Sequence, residues 1–361
     1  MVNLSLCSVY FDFQILIAQR YGGISRYFFE IIPELRNLGV HCDISCFHNH
    51  NYYFADSLGI HNLGNKFVRL AEFLVNMFKA HNDTRRKKYD IIHPTYYYMS
   101  YGTNAKIIHT VHDMIPEMYH INSRLIAAKK KTLHEADRII SVSESTKRDL
   151  LNIYSDIEPE KITVVHHGAS MKHIDKPAQK LSIMNGKDYV LFVGNRAGYK
   201  NFMKFFEAMK PVMNAHRDLC VLCTGGGKFT QSERELIRGY EDRIIQAGLS
   251  DDELVNAYSG ALCFVFPSLY EGFGLPLLEA FACDCPVICS KSSSLPEVAG
   301  DAAEYFDGND SDDIAGHITH VIESDSLRDD LRRRGRERLN FFDWKKTARE
   351  TLKCYEEVMI S

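Results

Sequence analysis

Two doubly wound α/β halves in tandem, each a largely parallel sheet wrapped by helices, are the fold that this sequence predicts. Three observations predict it: a length of 361 residues, short apolar strand-like runs that alternate with helical patterns, and a polar interruption of that alternation near the middle. A single hydrophobic core usually stops growing at roughly 250 to 300 residues, so the length requires two domains. Strand and helix in alternation select a parallel α/β class, because each parallel pair needs a crossover connection.

In chain order, the runs NLSLCSVYF, VHCDISCF, YDIIH, KIIHTV, DRIISV and KITVVHH occupy the first half. After His167 and Gly168 comes MKHIDKPAQKLSIMNGK, polar and weakly periodic, which reads as a connection. A second set follows: DYVLFVG, DLCVLCTGG, RIIQAG, ALCFVFPS, CPVICS and AAEYF, separated by helical segments such as KNFMKFFEAMKPVM. The expected organisation is a Rossmann-like domain over 1–172, a linker over 173–186, a second Rossmann-like domain over 187–342, and a C-terminal helix over 343–361 free to return to the first domain.

A formal net charge of −4 with 45% hydrophobic residues describes a soluble globular chain with no global field for nucleic acid. The apolar start, Met1 to Arg20, carries Asp12 and lacks a basic leader, and no run of about 18 apolar residues exists to span a bilayer. A cytoplasmic location is expected. Of the ten cysteines, Cys220, Cys223, Cys263 and Cys289 sit inside apolar runs, where a free thiol behaves as a small hydrophobe; Cys220 and Cys223 form a C-x-x-C inside a strand-like run, without a second pair.

The chemistry centres on EGFGLPLLE. The strand-like ALCFVFPS hands over, through Leu269 to Gly274, to the helix-like LPLLEAFAC, the position at which α/β sheets bind ligands. Gly272 and Gly274 let backbone amides approach an anion, and the helix start presents its N–H groups and positive dipole end to phosphate. Glu271 stays on the loop while Glu279 lies about one turn inside the helix, so one carboxylate can grip ribose and the other sugar hydroxyls.

In FVGNRAGYKN, Arg196 and Lys200 follow the first strand of the second half, where two cations can neutralise a diphosphate. YGGISRY places Gly22 and Gly23 before a helix-like segment, a loop suited to an anion or a sugar. His112 ends the run KIIHTVH, where a side chain can enter a crevice, whereas His109 inside the run reads as structural. Neither G-x-G-x-x-G opening the first unit nor G-x-x-x-x-G-K-[ST] is present, which demotes dinucleotide and P-loop readings.

PSLYEGFGLPLLEAFACDCPVICS resembles the signature of glycosyltransferase family 4, two glutamates eight residues apart around a glycine-rich turn. The resemblance covers nearly the whole chain, through QRYGGISRYFFEI, TVHDMIPE, SVSESTKRDLL, FVGNRAGYKN, LSDDELVNAYSGA and SLPEVAGDAAEYF in the family's order. It implies a GT-B fold, two Rossmann-like domains facing each other across a cleft, and a retaining transferase with a nucleotide sugar as donor. It places Glu279 on the ribose, Glu271 by the donor sugar with the amides of Phe273, Gly274 and Leu275 around it, and His112 at the sugar or the reacting bond, with Asp113 orienting it. The pair His167 and Gly168 fits the family's loop near the nucleotide. The expected proline is missing from GNRAGYK, so Lys200 is the firmer of the two cation assignments.

The opening motif looks most like bacterial polysaccharide-assembly members, many of them mannosyltransferases, which implies GDP-mannose as donor and a lipid-linked oligosaccharide as acceptor. A UDP-sugar donor is the alternative; an epimerase or a non-catalytic sugar-nucleotide binder are the rivals of another class. No metal and no further cofactor is expected, because cations and amides already face the phosphate and no D-x-D follows a strand. KFVRLAEFLVNMFKAHNDTRRKK sets Phe67, Leu70, Leu74 and Phe78 at helical spacing before a basic end at Arg85 to Lys88. Its apolar stripe reads first as core and second as a peripheral membrane contact.

Overall fold

In the computed structural model, residues 7–44, 46, 49–54, 66–99, 101, 103–170, 181–196 and 198–360 are described. Most of the expected linker therefore lies outside the described residues. The chain divides into two compact units, Met1–Gly168 with Asp343–Ser361, and Ala169–Phe342.

The first unit holds a six-stranded parallel sheet: β1 Ser8–Phe11, β2 His41–Ile44, β3 Ile91–His93, β4 Lys106–Val111, β5 Arg138–Ser141 and β6 Ile162–Val164, in the order β2-β1-β3-β4-β5-β6. The order reverses between β1 and β3, so the loops leaving those strands meet at a topological switch point. There the fully buried Asp12 carboxylate ties them together, accepting from Thr95 N at 3.0 Å and Thr95 Oγ1 at 2.6 Å.

One face of this sheet is covered by the helix Gly23–Asn37, which buries Tyr27, Phe28, Ile31, Ile32 and Leu35 at helical spacing. Beside it lies the helix Trp344–Ile360, whose Trp344, Ala348, Tyr355 and Val358 share a core with Val9, Phe11, Ile91 and Ile108. The C-terminal helix thus completes the first unit, and His93 Nδ1 and Tyr355 Oη lie 2.7 Å apart.

The helix Lys66–Arg86 reverses the burial expected of it. Glu72, Asn76, Ala80 and Thr84 face inward, while Leu74 is 49% and Phe78 70% exposed, with Val75 and Met77 beside them. Glu72 tolerates burial because His50 Nε2 lies 2.7 Å from its carboxylate. The stripe is therefore not core at Leu74 and Phe78; the side chains of Phe67 and Leu70 lie outside the described residues.

The second unit holds β7 Tyr189–Val193, β8 Cys220–Thr224, β9 Ile244–Ala247, β10 Cys263–Phe266, β11 Val287–Ser290 and β12 Ala303–Phe306, all parallel, in the order β12-β11-β10-β7-β8-β9. Its central strands are buried on both faces, which is why they read as unbroken apolar runs. Its core joins these strands to Phe205, Phe206 and Met209 of the helix Phe202–Ala215 and to Ile314 and Ile318 of the helix Ser311–Glu323. All ten cysteines are free thiols; Cys220 and Cys223 are buried on β8 as ordinary core residues.

Candidate active site

In the second sheet the order reverses between β7 and β10, and the two richest motifs leave these adjacent strands at their carboxyl ends. Lys200 follows β7, and the turn containing Glu271 follows β10. Leu269 N donates to Tyr199 O at 2.8 Å, so the two loops are stitched together by backbone.

The helix Leu275–Ala282 starts at Gly274, whose φ of +104° and ψ of 48° lie in left-handed space. A Cβ there would come within 2.9 Å of Leu295 Cδ2, so both conformation and room demand glycine. Pro276 has no N–H and Leu277 N donates to Gly274 O at 2.9 Å, so Gly274 and Leu275 carry the N–H groups that the helix itself does not use, and Gly274 supplies no side-chain cap. An anion is the natural complement of such an end.

The carbonyls of the turn are held from behind. Ser293 Oγ donates to Glu271 O at 2.5 Å, and Ser294 Oγ lies 2.8 Å from Glu271 O and 3.0 Å from Phe273 O. Ser294 is fully buried. These hydroxyls, from the segment KSSSLPE, orient the peptide planes around Phe273 and fix the loop. Their role was not legible in the sequence, because Ser is common in turns and the contact spans more than twenty residues.

Lys200 Nζ donates to Glu271 Oε1 at 2.5 Å, and both side chains are mostly buried, at 16% and 11% exposure. The ammonium also stands 5.4 Å from the Tyr199 ring centroid and 5.6 Å from that of Phe266. Glu279 lies on the same helix as Leu275, and Tyr258 Oη donates to its Oε2 at 3.3 Å. Tyr258 is fully buried, and burial, with Glu279 beside it, raises its phenol well above the usual tyrosine range. It therefore stays a donor that aims the carboxylate.

Arg196 takes a different course from the expected phosphate clamp. Its Nε donates to Glu233 Oε1 at 2.7 Å, and its two Nη atoms donate to the carbonyls of Gly225, Gly226, Gly227 and Lys228. Gly225, Gly226 and Gly227 all have positive φ, and this left-handed turn wraps the guanidinium in acceptors. Burial opposes ionisation of Glu233, yet Arg196 and Thr230 hold its carboxyl below the usual range. In this structure Arg196 is a brace for the loop after β8, and Lys200 is the cation placed beside Glu271.

In the first unit, Gly22 precedes the helix Gly23–Asn37 with φ of 169°, ordinary extended backbone. A Cβ there would lie 2.4 Å from Gln19 Oε1, the end of a partly exposed side chain that accepts from Ser25 N at 3.3 Å at the helix start.

His112 follows β4 and is buried, at 8% exposure, among Tyr27, Phe28 and His167, with ring centroids 5.0, 6.0 and 5.7 Å away. Neither ring nitrogen has a hydrogen-bond partner among the described residues. Burial, reinforced by His167, His93 and Lys129, lowers its pKa well below the ordinary value, so the ring is a neutral imidazole. Asp113 does not orient it: Asp113 Oδ1 accepts instead from Ile115 N at 3.0 Å.

Beneath this turn the sequence hid a buried cation. Lys129 Nζ donates to Asp113 O at 2.6 Å and to Glu117 Oε2 at 3.1 Å, while Tyr154 Oη donates to Glu117 Oε1 at 2.8 Å. Its position four residues after Leu125 and four before Leu133, both buried, was the available signal. Gly168 has its own local reason: a Cβ would lie 2.3 Å from Trp344 N.

Two doubly wound parallel sheets, one in each unit, are the architecture of the GT-B glycosyltransferases. The chain belongs to glycosyltransferase family 4: the "Glycosyltransferase Family 4" profile matches residues 21–172 and "Glycosyl transferases group 1" matches residues 174–338. It is 30% identical over 295 residues to the O-antigen chain mannosyltransferase B of Escherichia coli, covering 72% of this chain and 74% of that one. It is 26% identical over 311 residues to the serotype-specific mannosyltransferase WbdA of Escherichia coli, covering 80% of this chain and 37% of that longer one. Among solved structures, sucrose-phosphate synthase from Thermosynechococcus elongatus matches with a TM-score of 0.75 at 21% identity, over 98% of this chain and 99% of that one. Anabaena HepE in complex with UDP and glucose matches with a TM-score of 0.73 at 14% identity, over 97% and 99%.

Proposed function

We propose that this glycosyltransferase is a retaining hexosyltransferase that moves mannose from GDP-mannose to a hydroxyl of a growing, lipid-linked oligosaccharide in bacterial surface polysaccharide synthesis. The observation that carries the reaction class is the Lys200 and Glu271 contact beside the helix start at Gly274, at the switch point of the second sheet. The names of the mannosyltransferase relatives support the sugar.

In this reading Glu279 holds the ribose, Glu271 the sugar hydroxyls, and Lys200 with the amides of Phe273, Gly274 and Leu275 the diphosphate. The bond from the anomeric carbon to the diphosphate oxygen breaks, its electron pair leaving with the phosphate. The acceptor oxygen bonds to the same face, and its proton passes to the leaving phosphate oxygen. Such a site must stabilise growing phosphate charge and an oxocarbenium-like sugar together. The neutral His112 imidazole hydrogen-bonds to the sugar. Charge stabilisation by Lys200 and the helix start makes a metal unnecessary; activity abolished by chelator would refute that.

The decisive experiment screens GDP- and UDP-sugars for thermal stabilisation, then assigns the product anomer by NMR. Stabilisation by GDP-mannose and an α-linked product are expected; stabilisation confined to UDP-sugars would replace the donor, and an inverted anomer would sink retention. A UDP donor is the second reading, favoured by the UDP and glucose bound in a structural neighbour.

The protein works in the cytoplasm, and the outward face of Leu74, Val75, Met77 and Phe78, followed by Arg85 to Lys88, makes a peripheral contact with anionic lipid. Among the described residues no helix is long and apolar enough to cross a membrane. Co-sedimentation with phosphatidylglycerol vesicles, weakened by salt and by Phe78→Ser, is expected; no binding at low salt would remove the contact.

A further inference from the structure

The loops at the carboxyl end of the first sheet display tyrosines to solvent. Tyr21, after β1, is 54% exposed; Tyr52, after β2, 51%; and Tyr98, after β3, 46%. Tyr21 and Tyr52 are in ring contact, with centroids 4.9 Å apart and planes tilted by 32°. Tyr53 meets both, and its ring contacts half-exposed Phe29, which meets Phe54 edge-on. Arg20 stands over Tyr21 and Arg26 over Tyr53.

This surface is built rather than incidental. The buried Asn49 and Asn51 commit their side chains to shaping the loop: Asn51 N donates to Asn49 Oδ1 at 2.8 Å, Tyr53 N to Asn51 Oδ1 at 3.0 Å, and Asn51 Nδ2 to Gln19 O at 2.7 Å. Tyr52 N donates to Arg20 O at 2.9 Å, locking the loop to the segment that carries Tyr21. Tyr98 N is likewise fixed by Gln14 Oε1 at 2.7 Å. Order spent on holding large aromatic rings in water is explained by a ligand that covers them.

The chemistry of that ligand follows from the rings. Tyr21 and Tyr52 already contact each other, so they leave no slot for a flat base and offer only their outward faces. A pyranose presents an apolar face of axial C–H groups to such a ring and hydroxyls at its rim, which phenol oxygens and arginine N–H groups can reach. The ring centroids of Tyr21, Tyr53 and Phe29 follow one another at 6.4 and 5.7 Å, a stripe that more than one pyranose ring can cover.

We propose that Tyr21 and Tyr52, with Tyr53 and Phe29 behind them, form a stacking platform for an oligosaccharide, the already assembled part of the acceptor. The proposal rests on the transferase reading above for the identity of its ligand as acceptor, and its test does not depend on turnover.

The test titrates the full chain, by saturation-transfer NMR, with linear mannose, glucose and N-acetylglucosamine oligosaccharides of increasing length. Affinity should rise with length in at least one series, fall at least ten-fold in the Tyr21→Ala, Tyr52→Ala double variant, and survive in the Tyr21→Phe, Tyr52→Phe variant, which keeps the rings. Thermal stabilisation by GDP or UDP should be the same in all three proteins. Wild-type protein that binds no saccharide in any series would overturn the platform, as would equal binding by the double alanine variant. So would an alanine variant that changes oligomeric state while saccharide binding is unaltered. Loss of nucleotide stabilisation in the wild type would count against the donor reading instead.

Discussion

Lys200 Nζ and Glu271 Oε1 meet at 2.5 Å across 71 residues of sequence, joining the loops that leave two adjacent strands. The cation thus has a counterion before any phosphate arrives, and a diphosphate must compete for it. Lys200→Ala is expected to cost about 2 to 4 kcal/mol of transition-state stabilisation, the scale for removing one charge-stabilising donor. Glu271→Gln frees the lysine, so kcat should fall while donor KM does not rise. Steady-state kinetics on both variants checks the split; near-normal kinetics for Lys200→Ala would end the assignment.

Glu279 is predicted to act on nucleotide binding and not on the bond being broken. Removing a hydrogen bond to a charged group costs about 1.5 to 3 kcal/mol, so Glu279→Ala should raise the donor dissociation constant by roughly ten- to a hundred-fold. Nucleoside diphosphate alone should lose the same factor in calorimetry. A loss confined to kcat would contradict the role.

Gly274→Ala tests the left-handed start of the nucleotide-side helix. The substitution adds about 1 to 2 kcal/mol of backbone strain as well as the approach to Leu295 within 2.9 Å. A lower melting temperature and a donor KM raised together are expected. Unchanged donor binding in a destabilised protein would separate the helix start from the phosphate.

Acidification should loosen the first unit. Burial lowers His93, His109 and His167 to about 3, and His112 well below its ordinary value. These rings stay neutral in the fold but take protons in the unfolded chain below about pH 6.5, so the unfolded state binds more protons as pH falls. Stability is full above that value and is lost below it, by about 1.4 kcal/mol per pH unit for each such histidine between its two pKa values. Thermal melts from pH 7.5 to 5 should show the decline, and His109→Asn should flatten it. A melting temperature unchanged down to pH 5 would show that the rings are not held neutral.

Much of this architecture was readable because its signals are local. Buried parallel strands announce themselves as apolar runs, and the glutamates at 271 and 279 are fixed by a turn and one helix. What escaped reading depends on contacts between distant segments. The partner of Arg196 is Glu233, on a helix beyond the next strand, so a loop cation looked like a ligand clamp. Periodicity marked a stripe on the helix Lys66–Arg86 but could not say which side met the sheet, since Glu72 is buried through His50, from another segment. The reversal between β1 and β3, in an order different from that of the second sheet, leaves no local trace because crossovers decide it.

The return of Trp344–Ile360 to the first unit makes residues 169–342 an insertion in the topological sense. During synthesis from the N-terminus, the contiguous second unit has all of its own strands available while the first still lacks the wall that Trp344, Ala348 and Tyr355 provide. The chain therefore finishes its beginning last. A released fragment ending before Asp343 should hold a protease-resistant second unit and a first unit that digests, and extension through Ile360 should protect both.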